Sequence, residues 1–77
     1  LLTYDKGAAT GGTVPTDTDK YAYGSTVTAK TNSGSLVKTG ETFAGWNTKA
    51  DGSGTDVAAG GTFTITDNTV LYAQFES

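Results

Sequence analysis

The chemistry open to this sequence rests on three aromatic side chains, two short acidic runs and a few amides and amines. Trp46 is the single tryptophan, and Tyr21 and Tyr23 alternate at the edge of a polar stretch. An exposed indole or phenol ring stacks on a sugar, so Tyr21, Tyr23 and Trp46 are the candidate ligand contacts. Each also has a structural reading. Trp46 is the largest apolar side chain available to a chain poor in hydrophobic residues, which favours a place in the core. Tyr21 and Tyr23 fit ordinary packing at a strand edge.

The run Asp51-Gly52-Ser53-Gly54-Thr55-Asp56 invites comparison with a calcium loop, because hard cations take several oxygens from a flexible segment. The spacing fails: the first, third, fifth and twelfth positions counted from Asp51 are Asp, Ser, Thr and Thr. Asp17-Thr18-Asp19 is shorter still. Turn chemistry, in which Asp and Gly satisfy the local backbone, accounts for both runs, and no metal is expected. Lys6, Lys30, Asn47 and Gln74 are candidate partners in a self-formed isopeptide or ester crosslink, with Glu41 or Glu76 as proton shuttle. The preferred reading is that they are solvated strand residues, since a buried lysine–carboxylate pair is costly in a thin core.

The inventory excludes more than it offers. There is no His and no Cys, so the common general base and the thiol nucleophile are both missing. All five basic residues are Lys, which leaves no guanidinium fork for phosphate or carboxylate. Ser25 and Ser35 lie in no nucleophile elbow, and no Gly-Lys-Ser/Thr phosphate loop occurs. The chain is therefore read as no enzyme, with no catalytic residue and no cofactor. A net charge of −3 and a pI of 4.4 oppose binding to nucleic acid and anionic lipid. No apolar run approaches the roughly 18 residues of a membrane span, so no direct membrane insertion is expected.

The elements that must position these residues are strands. Seventy-seven residues make a single domain, 1–77, and its hydrophobic fraction of 35% permits only a thin core. Sixteen threonines favour extended backbone. No heptad and no sustained helical spacing occurs, whereas period-two alternation recurs. It marks strands at Leu2–Asp5, Ser25–Lys30, Thr42–Thr48, Thr62–Thr66 and Thr69–Glu76. Leu2, Tyr4, Val27, Ala29, Phe63, Ile65, Leu71, Ala73 and Phe75 then face inward. Strict alternation would set Phe43 and Trp46 on opposite faces; a bulge at Gly45 returns both to one. Residues 13–24 hold at most one helical turn near Asp19, and Asp56–Ala59 another before Gly60-Gly61. The expected fold class is mainly β, a small α+β domain with four or five short strands forming one sheet and at most one short helical turn.

Four stretches together carry a family resemblance. They are Leu2-Thr3-Tyr4-Asp5-Lys6-Gly7 with Gly11-Gly12-Thr13-Val14-Pro15; Tyr23-Gly24-Ser25-Thr26-Val27; Lys38-Thr39-Gly40-Glu41-Thr42-Phe43-Ala44-Gly45-Trp46 with Asn47-Thr48; and Thr69-Val70-Leu71-Tyr72-Ala73-Gln74-Phe75. In order and spacing they resemble the Listeria–Bacteroides repeat, or internalin-type B-repeat, from Leu2 to Phe75. Glu41, Asn47 and Phe75 replace residues that are usually aromatic in that pattern, and Val57-Ala58-Ala59 replaces an aromatic segment. The resemblance implies a β-grasp-like mixed sheet. It also implies a noncatalytic structural or interaction repeat of a secreted bacterial cell-surface or cell-wall protein. Its partners would be neighbouring repeats of the same polypeptide, and a host protein or glycan. A glycan- or mucin-binding adhesin module using exposed aromatics is the alternative.

Overall fold

The computed structural model describes all residues, Leu1–Ser77. The chain forms six strands and no helix: β1 (Leu2–Asp5), β2 (Ser25–Thr28), β3 (Thr42–Asn47), β4 (Asp56–Val57), β5 (Thr62–Ile65) and β6 (Thr69–Glu76). Four of them make a mixed sheet in the order β1-β6-β3-β4, and β2 and β5 pair as a separate two-stranded sheet. The first and last strands are parallel, with Leu2 opposite Thr69 and Asp5 opposite Tyr72. The other three pairings are antiparallel.

The alternation in the sequence maps onto the core. Leu2, Tyr4, Val27, Ala29, Ile65, Leu71 and Ala73 are buried, and Phe43, Phe63 and Phe75 pack half-buried against them. The β3–β6 register shifts between Phe43 and Gly45, and Gly45 sits at φ 120°. Only glycine takes that backbone without strain. The bulge returns Phe43 to the face of Trp46, with ring centroids 5.2 Å apart at 75°. Tyr4 meets Trp46 edge-on from the other side at 4.8 Å. Such edge-to-face pairs add about 0.5–1.5 kcal/mol each beyond the area they bury.

Both polar tips of this aromatic cluster grip one residue. Trp46 Nε1 donates to the Lys30 carbonyl at 2.9 Å, and the Lys30 N–H donates to Tyr4 Oη at 2.8 Å. This explains why β2 stops at Thr28 instead of running to Lys30. The Lys30 backbone is satisfied by side chains of the four-stranded sheet, while Ala29 bonds to Gly60 and Gly61. The two sheets, expected as one, are joined through these side chains and not through a continuous ladder.

Two segments with room for at most a single helical turn take other forms. Asp56–Ala59 does not form a helical turn: Asp56 and Val57 add a short strand to the open edge of β3, opposite Asn47 and Trp46. The β-branched Val57 fits a pleated surface and is buried there. Near Asp19 the backbone makes no helical turn either, because the Asp17 carboxylate accepts the Asp19 N–H at 2.9 Å in an Asx turn. No helix crosses the sheet. Leu36 is a core residue that alternation did not mark. The Asn32 side-chain oxygen accepts the Leu36 N–H at 2.8 Å and its amide donates to the Leu36 carbonyl at 3.0 Å. These bonds satisfy the backbone of a buried residue outside any strand.

Trp46→Phe keeps most of the apolar volume but removes the donor that the Lys30 carbonyl accepts from at the partly buried seam between the sheets. We expect it to cost about 1–3 kcal/mol of unfolding free energy, read from urea denaturation followed by circular dichroism. An unchanged midpoint would mean that the indole N–H does not help join the sheets.

Candidate functional site

The segment before β2 places both tyrosines. The Ser25 N–H donates to the Ala22 carbonyl at 3.0 Å, and Gly24, at φ 82°, donates to Ile65 at 2.7 Å. This tight turn puts Tyr23 at its tip, 84% exposed. Tyr21 lies half-buried, its Oη donating to Asp17 Oδ2 at 2.6 Å. Together with Leu1, Ala22, Ile65 and Asp67 they line a shallow depression of about 160 Å³. Pockets that enclose small molecules usually have about 300–1,000 Å³, so this is a contact surface and not a binding cavity.

The Tyr21–Asp17 bond sets the electrostatics there. Burial pushes the Asp17 carboxyl up. Donation from Tyr21 and Asp19, with the charge of Lys30, outweighs burial and holds it below the usual carboxylate range. The same bond, helped by partial burial and by the Asp17 charge, pushes the Tyr21 phenol up to about 12. The pair therefore keeps Asp17 ionised and Tyr21 protonated across the neutral range. Tyr23 carries the one ring of the three candidates that is mostly open to solvent.

Trp46 is elsewhere. It is 1% exposed, and its indole is enclosed by Tyr4, Phe43 and the Lys30 backbone. The structure brings Tyr21 and Tyr23 together and leaves Trp46 in the core, with no face for a sugar. Leu1 and Asp67 line the tyrosine surface but carried no signal in the sequence, whereas Asp17, noted there only as part of a short acidic run, sits buried beneath it as the partner of Tyr21. Only the folded chain sets Asp67, at the end of β5, beside residues more than forty positions earlier.

The remaining candidates have structural partners. Asn47 is wholly buried: its amide donates to Asp56 Oδ1 at 2.7 Å and to Gly52 at 3.2 Å, and its oxygen accepts from Lys49 and Gly54. It pins the whole 49–56 loop. Gln74 donates to the Ala73 and Tyr72 carbonyls at 3.2 and 3.3 Å. Neither amide is hydrogen-bonded to a lysine amine. The Asp51 carboxylate accepts from Ser53 N and Oγ at 3.0 and 2.7 Å, which holds Asp51 below its ordinary pKa. Asp51 and Asp56 are thus engaged separately, and no group of three or more acidic side chains gathers in the fold.

These features define a small helix-free β module built on a mixed sheet, with its conspicuous exposed aromatic on a loop. Residues 2–74 match the Listeria-Bacteroides repeat domain, and the chain belongs to that family. It is also similar to a putative Gly-rich membrane protein of Evansella cellulosilytica, at 55% identity over 42 residues. That match covers 53% of this chain and 5% of the relative, so the chain corresponds to a small part of the longer protein. No solved structure matches.

The phenol shift has a readable consequence. Because the Tyr21 pKa is raised in the folded state, the stability it contributes is complete below the ordinary tyrosine value near 10. It is lost as pH rises towards about 12. Burial raises the Tyr4 phenol as well, so an ultraviolet titration of tyrosinate should show late-ionising tyrosine, and Tyr21→Phe should remove one tyrosine's share of it near the upper value. Asp17 behaves oppositely: its contribution is present above the ordinary carboxylate range and is lost as pH falls through its depressed folded value. Acid unfolding of Tyr21→Phe should therefore begin at higher pH.

Proposed function

We propose that the chain is a noncatalytic structural repeat of a secreted bacterial cell-surface protein, one bead in a stalk or spacer. The observation that carries this reading is the parallel pairing of β1 with β6. Leu1 lies beside the start of β6, and Ser77 follows its far end, so the chain enters at one end of the sheet and leaves at the other. At about 3.3 Å per residue, the eight residues of β6 carry the chain forward by roughly 25 Å. Successive units joined this way extend in a line and do not fold back on one another. Membership of a repeat family and similarity to a segment of a much longer membrane protein support the same reading. Neighbouring repeats of the same polypeptide are its natural partners.

A second reading is favoured by one observation, the 84% exposure of Tyr23 on the turn before β2. There the repeat would be an adhesive element that contacts a host protein or a mucin-type glycan through Tyr23 and Tyr21. Trp46 has no part in that contact.

Cell labelling tests the surface assignment, and a glycan array separates the two readings. Antibody raised against the domain labels intact cells that express the parent protein, and absence of labelling would sink the surface assignment. For the adhesive element, a glycan array gives a binding signal that Tyr23→Ala removes without changing the thermal midpoint. A blank array leaves the spacer reading standing alone.

A further inference from the structure

We propose that the β1–β6 pair is a shear clamp that makes this domain resist extension along its own chain direction. The inference rests on the reading of the domain as one repeat within a longer polypeptide, and it deepens that reading by naming the mechanical element. Tension in such a polypeptide reaches the domain at Leu1 and Ser77. These residues continue the two strands that lie side by side and parallel, at opposite ends of the pair. Pulling them apart drives β1 and β6 past each other along their length. Every backbone bond between the strands then lies across the load, and all must give way together. The Thr69 N–H donates to the Leu1 carbonyl at 2.9 Å, and four successive residues of β1 are in register with β6. In a parallel ladder alternate residues turn their N–H and C=O to the partner, so Leu1, Thr3 and Asp5 face β6.

Side chains reinforce the ladder. Leu2 and Tyr4 are buried at 0% and 8% exposure, whereas Thr3 and Asp5 are exposed. A slip of one residue would exchange the two sets, drawing Leu2 and Tyr4 out of the core and pushing Asp5 into it. Tyr4 is also fixed through its hydroxyl to the Lys30 backbone. Beyond β1 the chain is held again, since Gly7 packs so closely on the Ala73 carbonyl of β6 that a Cβ would lie 2.7 Å from it. On its other side β6 is paired with β3 over most of its length, so the strand that takes the load is supported along both edges.

The same bonds loaded sideways break one at a time. Asn68, exposed and adjacent to the first β1–β6 pair, offers that direction against Leu1. The test is single-molecule force spectroscopy of the 77-residue chain between marker domains, pulled from Leu1 and Ser77. The comparison is an Asn68→Cys variant pulled from Leu1 and residue 68. In the first geometry each unfolding event should release about 25 nm, from roughly 3.6 Å per residue less the folded separation. At equal pulling speed the force should be at least about twofold higher than in the second geometry, because forced unfolding follows the barrier along the pulled direction. Equal or lower force from Leu1 and Ser77 would overturn the clamp. Thr3→Pro gives an independent check, since it removes an exposed residue's ladder N–H. If this variant folds by circular dichroism, its force from Leu1 and Ser77 should drop; an unchanged force overturns the proposal. If it does not fold, the comparison of directions still decides. A high directional force with no labelling of intact cells would refute the surface role and leave the clamp in place. Labelling with no directional difference would do the reverse.

Discussion

The fold depends on one arrangement, Trp46 held edge-on between Tyr4 and Phe43 while Tyr4 and Trp46 both grip the backbone of Lys30. Only 35% of the chain is hydrophobic, it has no cysteine for a disulfide, and no three ligating side chains gather to hold a metal. Burying one large indole is therefore a large share of what the core can offer. That burial is possible only if the indole N–H finds an acceptor, because an unpaired polar group inside a thin core costs about 1–3 kcal/mol. The Lys30 carbonyl meets that requirement, and in doing so joins β2 and β5 to the four-stranded sheet. Packing and sheet assembly are thus the same interaction seen from two sides.

The loops follow a second economy, in which short polar side chains do what a longer chain would do with secondary structure. Asn47 makes four hydrogen bonds from a fully buried position and fixes the 49–56 loop. Asn32 does the same for Leu36, and Asp17 for the segment that carries Tyr21. Every buried side-chain nitrogen and oxygen has a partner. Asp17 and Asp51 hold turns, the reading that their sequence context favoured over cation binding. The surface is left with few conspicuous features, of which Tyr23 is the most exposed. An inventory of this kind suits a module whose work is to hold a shape and a spacing.

The sequence by itself determined the class of fold and most of its strands. Period-two alternation depends only on the two faces of a pleated strand, so the inward sets of β1, β5 and β6 could be read directly, and Gly45 announced its bulge through its lack of a side chain. The motifs from Leu2 to Phe75 pointed to the family whose domain covers residues 2–74. Trp46 was legible as core by size alone. The tertiary structure decided what alternation cannot encode. Pairing order is a long-range choice, so nothing local announced that β1 would lie parallel to β6, or that β2 and β5 would form their own sheet. Val57 became a strand because β3 offered it an open edge, which local propensity does not see. The tyrosine surface likewise exists only because folding brings the end of β5 beside the turn before β2, and that separation in sequence hides it from any reading of spacing.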